Sequence, residues 1–186
     1  MPFVEIEFGD IVFNPKVRSY CINSDFQCPN YAHSWACPPE APYLEELVSQ
    51  FRKFFLIYVK FDVEKYVKKI QIRHPKKSEN SIRNALYMKD LLRNELENEI
   101  LGFIKDYSEK FEDRLILWDG FCRLCYNDKE LGCTYDSGKP CRYPNKIRYS
   151  MEAVGIDVTK SVRKLNFNLE WPPVKFLYRF GLICLK

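Results

Sequence analysis

The chain has 186 residues, of which 46% are hydrophobic and 16% are aromatic, and its formal net charge is +4. This composition excludes wholesale disorder and supplies a core for one domain, so we expect a single domain spanning residues 1–186. The mild charge makes nucleic acid an unlikely partner without excluding it. The first ten residues lack a secretory signal and no apolar run could span a bilayer, so we expect a cytoplasmic protein.

The first part of the chain reads as a strand, a long loop, a helix and a second strand. Residues 4–8 alternate apolar and acidic side chains, which is typical of a half-buried strand. A loop over about residues 14–42 follows, and Pro42 is a suitable first residue for a helix. Residues 54–61 (FFLIYVKF) are aromatic and β-branched, which predicts a buried strand.

The middle of the chain is basic and then amphipathic. Residues 65–77 form a basic stretch that predicts a solvated turn or, alternatively, an anion or RNA contact. From Ser78 to Phe111 the pattern is that of an amphipathic helix. A single helix of that length would overhang a compact domain, so we expect a break near Gly102.

The last third predicts two strands on either side of a second loop. Residues 114–118 read as a short buried strand, a loop covers about residues 120–145, and residues 174–185 read as a closing strand. Ser150 and Thr159 are candidate helix N-caps. The class is therefore α/β or α+β: a small mixed β-sheet flanked by helices, with two irregular cysteine-rich metal-binding loops.

The second loop contains the stronger metal-binding pattern. Eight cysteines in a chain expected in a reducing compartment indicate metal ligands before disulfides. The loop reads Cys122-x2-Cys125-x7-Cys133-x7-Cys141, a four-thiolate set that suits either a [4Fe–4S] cluster or a structural zinc. Iron–sulfur is favoured, because the loop has one C-x-x-C pair and no histidine.

The first loop gives a weaker pattern of three cysteines, Cys21, Cys28 and Cys37. These could hold a second cluster with one iron left open, or one or two of them could simply pack in the interior. His33 could be a fourth ligand, although a surface or hydrogen-bonding role is the expected one. Cys184 ends an apolar strand, where core packing is expected.

Three basic residues, Arg142, Lys146 and Arg148, follow Cys141 closely. Beside an anionic cluster they would raise its potential, contact the cofactor or dock an anionic partner. The alternative is ordinary solvation of a loop.

Two stretches of the chain carry a family resemblance. They contain CPNY at residues 28–31, WACPP at 35–39, CRLC at 122–125, PCR at 140–142 and SMEAVGIDV at 150–158. The combination resembles the uncharacterised "predicted metal-binding protein" family of anaerobic archaea and bacteria. The resemblance implies metal binding through these cysteines, as iron–sulfur rather than zinc. The chain departs from the family pattern in its longer spacings from Cys21 to Cys28 and from Cys125 to Cys133.

Three functions are compatible with the sequence. The first is electron transfer or redox relay through one or two [4Fe–4S] clusters, with a redox protein as partner. The second is an enzyme that uses the three-cysteine loop as an open site, with Glu40, Asp25 or His33 as acid–base groups. The third is a zinc-stapled module that binds RNA or protein through residues 65–77. Phosphate-binding loops, esterase elbows and H-E-x-x-H motifs do not occur.

Overall fold

Two long antiparallel strands form the centre of the fold. In the computed structural model, β2 (Lys53–Asp62) pairs along its whole length with β4 (Phe176–Leu185). Strand β1 (Phe3–Ile6) pairs with the free edge of β2, and β3 (Arg114–Leu117) pairs with β4, so the sheet order is β1-β2-β4-β3. The structure describes residues 2–22, 27–87, 92–107, 113–127, 132–170 and 172–186.

Helices and short turns connect the strands. The helices are α1 (Glu45–Val48), α2 (Val63–Arg73), α3 (Glu79–Tyr87), α4 (Arg93–Tyr107), α5 (Leu124–Asn127) and α6 (Val158–Lys164). Short 3-10 helices cover Phe8–Asp10, Pro15–Cys21, Tyr135–Ser137 and Pro144–Lys146. Among the helices described, none is both long and apolar enough to cross a membrane.

These elements confirm the α+β class, with one correction to the sheet. Every strand pair in the sheet is antiparallel, whereas the sequence analysis expected a mixed sheet. Strands β2 and β3 do run in the same direction, because each is antiparallel to β4. They never pair with each other, because β4 lies between them.

The sheet is buried on both faces, which explains why β2 reads as a nearly continuous apolar run. Phe54 and Leu56 point into a core that also contains residues of α6 and of the turn before it. Phe55 and Ile57 point to the opposite face, where they pack with α4. Cys184 on β4 lies in the first of these cores with none of its surface exposed, as expected from the sequence.

The expected helix break near Gly102 is wrong. Gly102 lies inside α4, and the interruption lies between the end of α3 at Tyr87 and the start of α4 at Arg93. Leu92, just before α4, has a left-handed φ of 63°. Helix α4 continues through Gly102 because its apolar face packs on the sheet through Leu96, Ile100 and Phe103.

Gly181 on β4 allows α4 to approach the sheet closely. A Cβ atom at this position would lie 2.6 Å from Ile100 Cδ1 and 3.2 Å from the carbonyl oxygen of Leu117. Real Cβ atoms essentially never lie within 3.0 Å of a neighbour, so the end of the Ile100 side chain would have to move, and the Leu117 carbonyl group would have to shift slightly. The close contact between α4 and the sheet therefore favours glycine here.

We expect Gly181→Ala to lower the free energy of unfolding by about 1–3 kcal/mol, because the added methyl group overpacks the helix–sheet contact. Urea unfolding followed by circular dichroism measures this change. Gly9→Ala is the control, since a Cβ atom at Gly9 would meet nothing within 4 Å. Equal effects of the two substitutions would contradict this account of the packing.

Candidate metal centre

The four cysteines of the second loop surround one small cavity. Cys122 lies just before α5, Cys125 lies on it, and Cys133 and Cys141 follow on the irregular chain. The remaining lining is largely apolar and aromatic, and includes Trp35, Leu124, Tyr143 and Ile147. We call Cys122, Cys125, Cys133 and Cys141 the second thiol group.

The electrostatics of Cys141 show how close these thiols are to one another. Burial raises the pKa of the Cys141 thiol, and negative charge on Cys125, Cys122 or Cys133 raises it further. The backbone N–H of Tyr143 donates to Cys141 Sγ at 3.4 Å, which acts in the opposite direction. The other three thiols of the group therefore lie within electrostatic reach of Cys141.

In the first loop, backbone contacts bring Cys21 and Cys28 together. The N–H of Cys28 donates to the carbonyl oxygen of Cys21 at 2.8 Å, and Ile22 forms an isolated antiparallel bridge with Gln27. Burial raises the pKa of the Cys21 thiol, and both the charge of Cys28 and a hydrogen bond to its thiol contribute. The long spacing from Cys21 to Cys28 thus still places the two thiols side by side.

Cys37 completes this set and links it to the second loop. It ends a turn in which its N–H donates to the carbonyl oxygen of Ser34 at 3.1 Å. Burial raises the pKa of the Cys37 thiol to about 11; a hydrogen bond with Ser34 opposes the rise, and negative charge on Cys28, Cys21 or Cys122 adds to it. We call Cys21, Cys28 and Cys37 the first thiol group; it adjoins the second at Cys37 and Cys122.

Aromatic and polar contacts hold the two loops together. Trp35 Nε1 donates to the carbonyl oxygen of Lys139 at 3.2 Å, and its ring meets Tyr135 edge-on at 5.0 Å between centroids. His33 Nδ1 lies 2.8 Å from a carboxylate oxygen of Asp136. These contacts fix the spatial relation between the two thiol groups.

The other candidate groups of the first loop take the following places. His33 is exposed and engaged with Asp136, the hydrogen-bonding role expected for it. Glu40 accepts a long hydrogen bond of 3.4 Å from the Tyr135 hydroxyl. Asp25 lies outside the described residues. Within the described ranges, no three His, Cys, Asp or Glu side chains form a group that could hold a single metal ion.

The three basic residues after Cys141 lie in different environments. Arg142 is exposed and donates to the carbonyl oxygen of Gly132 at 2.8 Å, and Lys146 is exposed. Arg148 forms an ion pair with Glu97 and lies over the ring of Trp118, 4.2 Å from its centroid. Arg148 therefore contributes to the framework of the site, while Arg142 and Lys146 lie at the surface.

Glu97 on α4 is a central residue of this framework, and the sequence analysis did not identify it. It accepts from Arg123, which lies between Cys122 and Cys125, at 2.7 Å and also pairs with Arg148. Burial alone would raise the pKa of Glu97, but its hydrogen bonds and charge pairing with Arg148 and Arg123 outweigh burial and lower it. No sequence pattern indicates this cluster, since the two arginines lie 26 and 51 residues from Glu97.

A second contact from α4 acts at the start of the same loop. Arg93 is buried, donates to the carbonyl oxygen of Phe121 and lies over the Phe121 ring at 4.3 Å. Gly120, in the left-handed region at φ +65°, lies directly against this guanidinium group. Helix α4 thus holds the loop on both sides of Cys122.

We expect Glu97→Gln to destabilise the protein by about 2 kcal/mol at neutral pH, because it leaves two partly buried arginines without their carboxylate. Since the pKa of Glu97 is lowered by folding, this stabilisation is present above the ordinary glutamate pKa and is lost as the pH falls through the folded value. The difference from the parent protein should therefore shrink in acid.

Urea unfolding at pH 7 and at pH 4 tests this expectation. Glu64→Gln is the control, because Glu64 forms an exposed ion pair with Lys68 on α2. A loss that is the same at both pH values, or no larger than that of the control, would contradict the role given to Glu97.

A larger cavity lies close to the first thiol group. Its volume is about 420 Å³, and its lining includes Asp119, Glu152 and Arg179. The charge of Glu152 is one of the causes that raise the pKa of the Cys21 thiol, so this carboxyl group lies within electrostatic range of Cys21. The carboxyl groups near the first thiol group thus include one that the sequence analysis did not single out.

Comparison with known families gives a match over nearly the whole chain. The family described as "Predicted metal-binding protein (DUF2284)" matches residues 4–185. No curated protein and no solved structure matches the chain. Because the match covers nearly the whole sequence, the chain belongs to this family of predicted metal-binding proteins.

Proposed function

We propose that the protein binds iron–sulfur clusters through its two thiol groups and serves in electron transfer. The observation that carries the proposal is the gathering of seven cysteines, from two loops far apart in sequence, into two adjoining groups. The second thiol group would hold a [4Fe–4S] cluster with four thiolates. The first would hold another cluster through three thiolates.

The donor set fits such a cofactor. All seven candidate ligands are thiols, which suit iron–sulfur clusters and zinc better than harder metal ions. The four thiols of the second group line one small cavity, so that they face a common space. The Tyr143 N–H that donates to Cys141 Sγ is the type of hydrogen bond that tunes the potential of a cluster.

The residues around the thiols define how such a site would work. A bound cluster supplies a one-electron couple. Trp35, Leu124 and Ile147 limit water access to the second thiol group, and Cys122 lies within electrostatic range of Cys37, so the two groups adjoin there. Arg142 and Lys146, both at the surface, are the residues we propose for docking an anionic redox protein.

We expect protein purified without oxygen to contain about eight irons and eight sulfides per chain, with broad absorption near 400 nm. About four of each would leave the first thiol group without a cluster and contradict that half of the proposal. Stoichiometric zinc without sulfide would overturn the iron–sulfur assignment and favour a zinc-stapled binding module.

Cys125→Ala tests the second thiol group directly. Removing one of four ligands should reduce iron and sulfide to about half of the parent content or less. Cys184→Ala is the control, because Cys184 is buried in the core away from both groups and burial raises the pKa of its thiol to about 12. Full iron content in Cys125→Ala, or loss of iron in Cys184→Ala, would show that the ligands are assigned incorrectly.

Cys28→Ala tests the first thiol group in the same way. We expect it to remove about four irons and four sulfides and to leave the cluster of the second group intact. Electron paramagnetic resonance of the reduced protein should then show the signal of one remaining cluster. An unchanged iron content would exclude Cys28 as a ligand.

A second candidate function is an enzyme in which the first thiol group forms an open site. The observation that favours it is the 420 Å³ cavity that reaches Glu152, whose carboxyl group lies within electrostatic range of Cys21. Three thiolates leave one position of a cluster for a substrate, where it could act as a Lewis acid or in sulfur transfer. A change in the spectrum of the first cluster alone on adding a substrate would separate this function from simple electron transfer.

A further inference from the structure

The cavity exists because β3 pairs with only part of β4. Leu117 is opposite Leu182, and β3 ends there, whereas β4 begins six residues earlier at Phe176. The chain then turns away from β4, with the N–H of Trp118 donating to the carbonyl oxygen of Tyr149 at 2.7 Å. On the side where β3 pairs, the first half of β4 therefore has no partner strand among the described residues. The cavity of about 420 Å³ opens along this half of β4.

The size and walls of this cavity are those of a small-molecule site. Ligand pockets usually measure about 300–1,000 Å³ and are mostly apolar, with a few polar groups. Here Met151, Val158, Leu169 and Leu177 supply aliphatic surface. The lining includes aromatic side chains from alternate positions of β4, namely Phe176, Tyr178 and Phe180.

The charged groups of the cavity have an excess of carboxylates. Asp119 forms an ion pair with Arg179, so these two charges offset each other. Glu170 accepts hydrogen bonds from the backbone N–H groups of Val174 and Lys175 at 3.0 and 2.7 Å. These bonds lower the pKa of the Glu170 carboxyl group, and the bond from Lys175 has the larger effect. Glu152 forms no ion pair with any cation in the described part of the chain.

The environment of Glu152 favours a cationic neighbour. Its side chain lines the cavity and remains accessible to water, yet desolvation by the surrounding protein and the negative charge of Asp119 raise the pKa of its carboxyl group to about 7. Hydrogen bonds with its own backbone and the Ser150 side chain, and the charge of Arg179, oppose this rise without cancelling it. A positive group placed in the cavity would relieve the repulsion from Asp119 and stabilise the carboxylate.

The aromatic wall also suits a cation. The Lys60 ammonium group already lies 3.7 Å from the centroid of the Phe176 ring and 5.6 Å from that of Tyr178. Aromatic rings attract ammonium groups through their negative faces, most strongly where water is excluded. An anion in the cavity would bind less favourably, because Arg179 is already paired with Asp119.

We propose that this cavity binds a small organic cation, an ammonium group carried on an apolar or aromatic body. The ammonium group would face Glu152, and the body would pack against the aliphatic and aromatic walls. The site depends on the fold of β3 and β4 and not on a metal in either thiol group, so it can be tested separately from the proposed cluster chemistry.

Isothermal titration calorimetry of the purified full-length protein with benzylamine tests the proposal. Benzyl alcohol and benzoate are the matched neutral and anionic probes. We expect benzylamine to bind at least tenfold more tightly than either, because only it supplies a charge opposite to that of Glu152. Equal binding of the three probes, or no binding of benzylamine, would overturn the proposal.

Two substitutions test whether benzylamine binds in this cavity. Glu152→Gln should weaken benzylamine binding at least tenfold, whereas Glu46→Gln, at an exposed position of α1, should leave it unchanged. Thr159→Phe fills the cavity from its exposed rim and should also weaken binding, while Arg163→Phe, exposed on the same helix, should not. Unchanged affinity in both Glu152→Gln and Thr159→Phe would exclude the cavity as the binding site.

Discussion

The mutual repulsion of thiolates is the constraint on which the cysteine-rich half of the molecule depends. Negative charge on Cys28, Cys21 or Cys122 raises the pKa of Cys37, and the other three thiols of the second group do the same to Cys141. Burial also raises the pKa of both the Cys37 and the Cys141 thiol. Thiolates at these positions would repel one another, and a cation bound among them would relieve that repulsion, so metal binding there would also order the loops.

Helix α4 transmits the rigidity of the sheet to this region. Its apolar face packs on the sheet, where Gly181 admits Ile100 at close range. Nearly one turn away, Glu97 holds Arg123 and Arg148, and Arg123 lies between two ligand candidates. The same helix thus packs against a glycine on β4 and carries a carboxylate that binds the arginines of the second cysteine loop, two contacts with segments far apart in the sequence.

The sequence predicted what depends on local composition. The buried strand over residues 54–61 follows from side-chain type within a short segment, and the structure has it as β2. The four-cysteine loop was singled out by its spacing, and its role in metal binding stays a prediction. The features that the sequence did not predict depend on contacts between residues far apart in the chain. The break assigned to Gly102 was wrong because packing on the sheet keeps α4 straight through that glycine. Glu97 had no signal because its partners are distant in sequence, and the cavity depends on where β3 stops pairing with β4.

The two thiol groups differ in a way that bears on function. The second group has four thiols within a largely apolar and aromatic lining, and four thiolates leave no position free on a [4Fe–4S] cluster. The first group has three thiols, and its Cys21 lies within electrostatic range of the carboxyl group of a cavity large enough for a small molecule. Electron transfer alone needs no such cavity. If both groups hold clusters as proposed, the second group would conduct electrons and the first would lie beside the cavity.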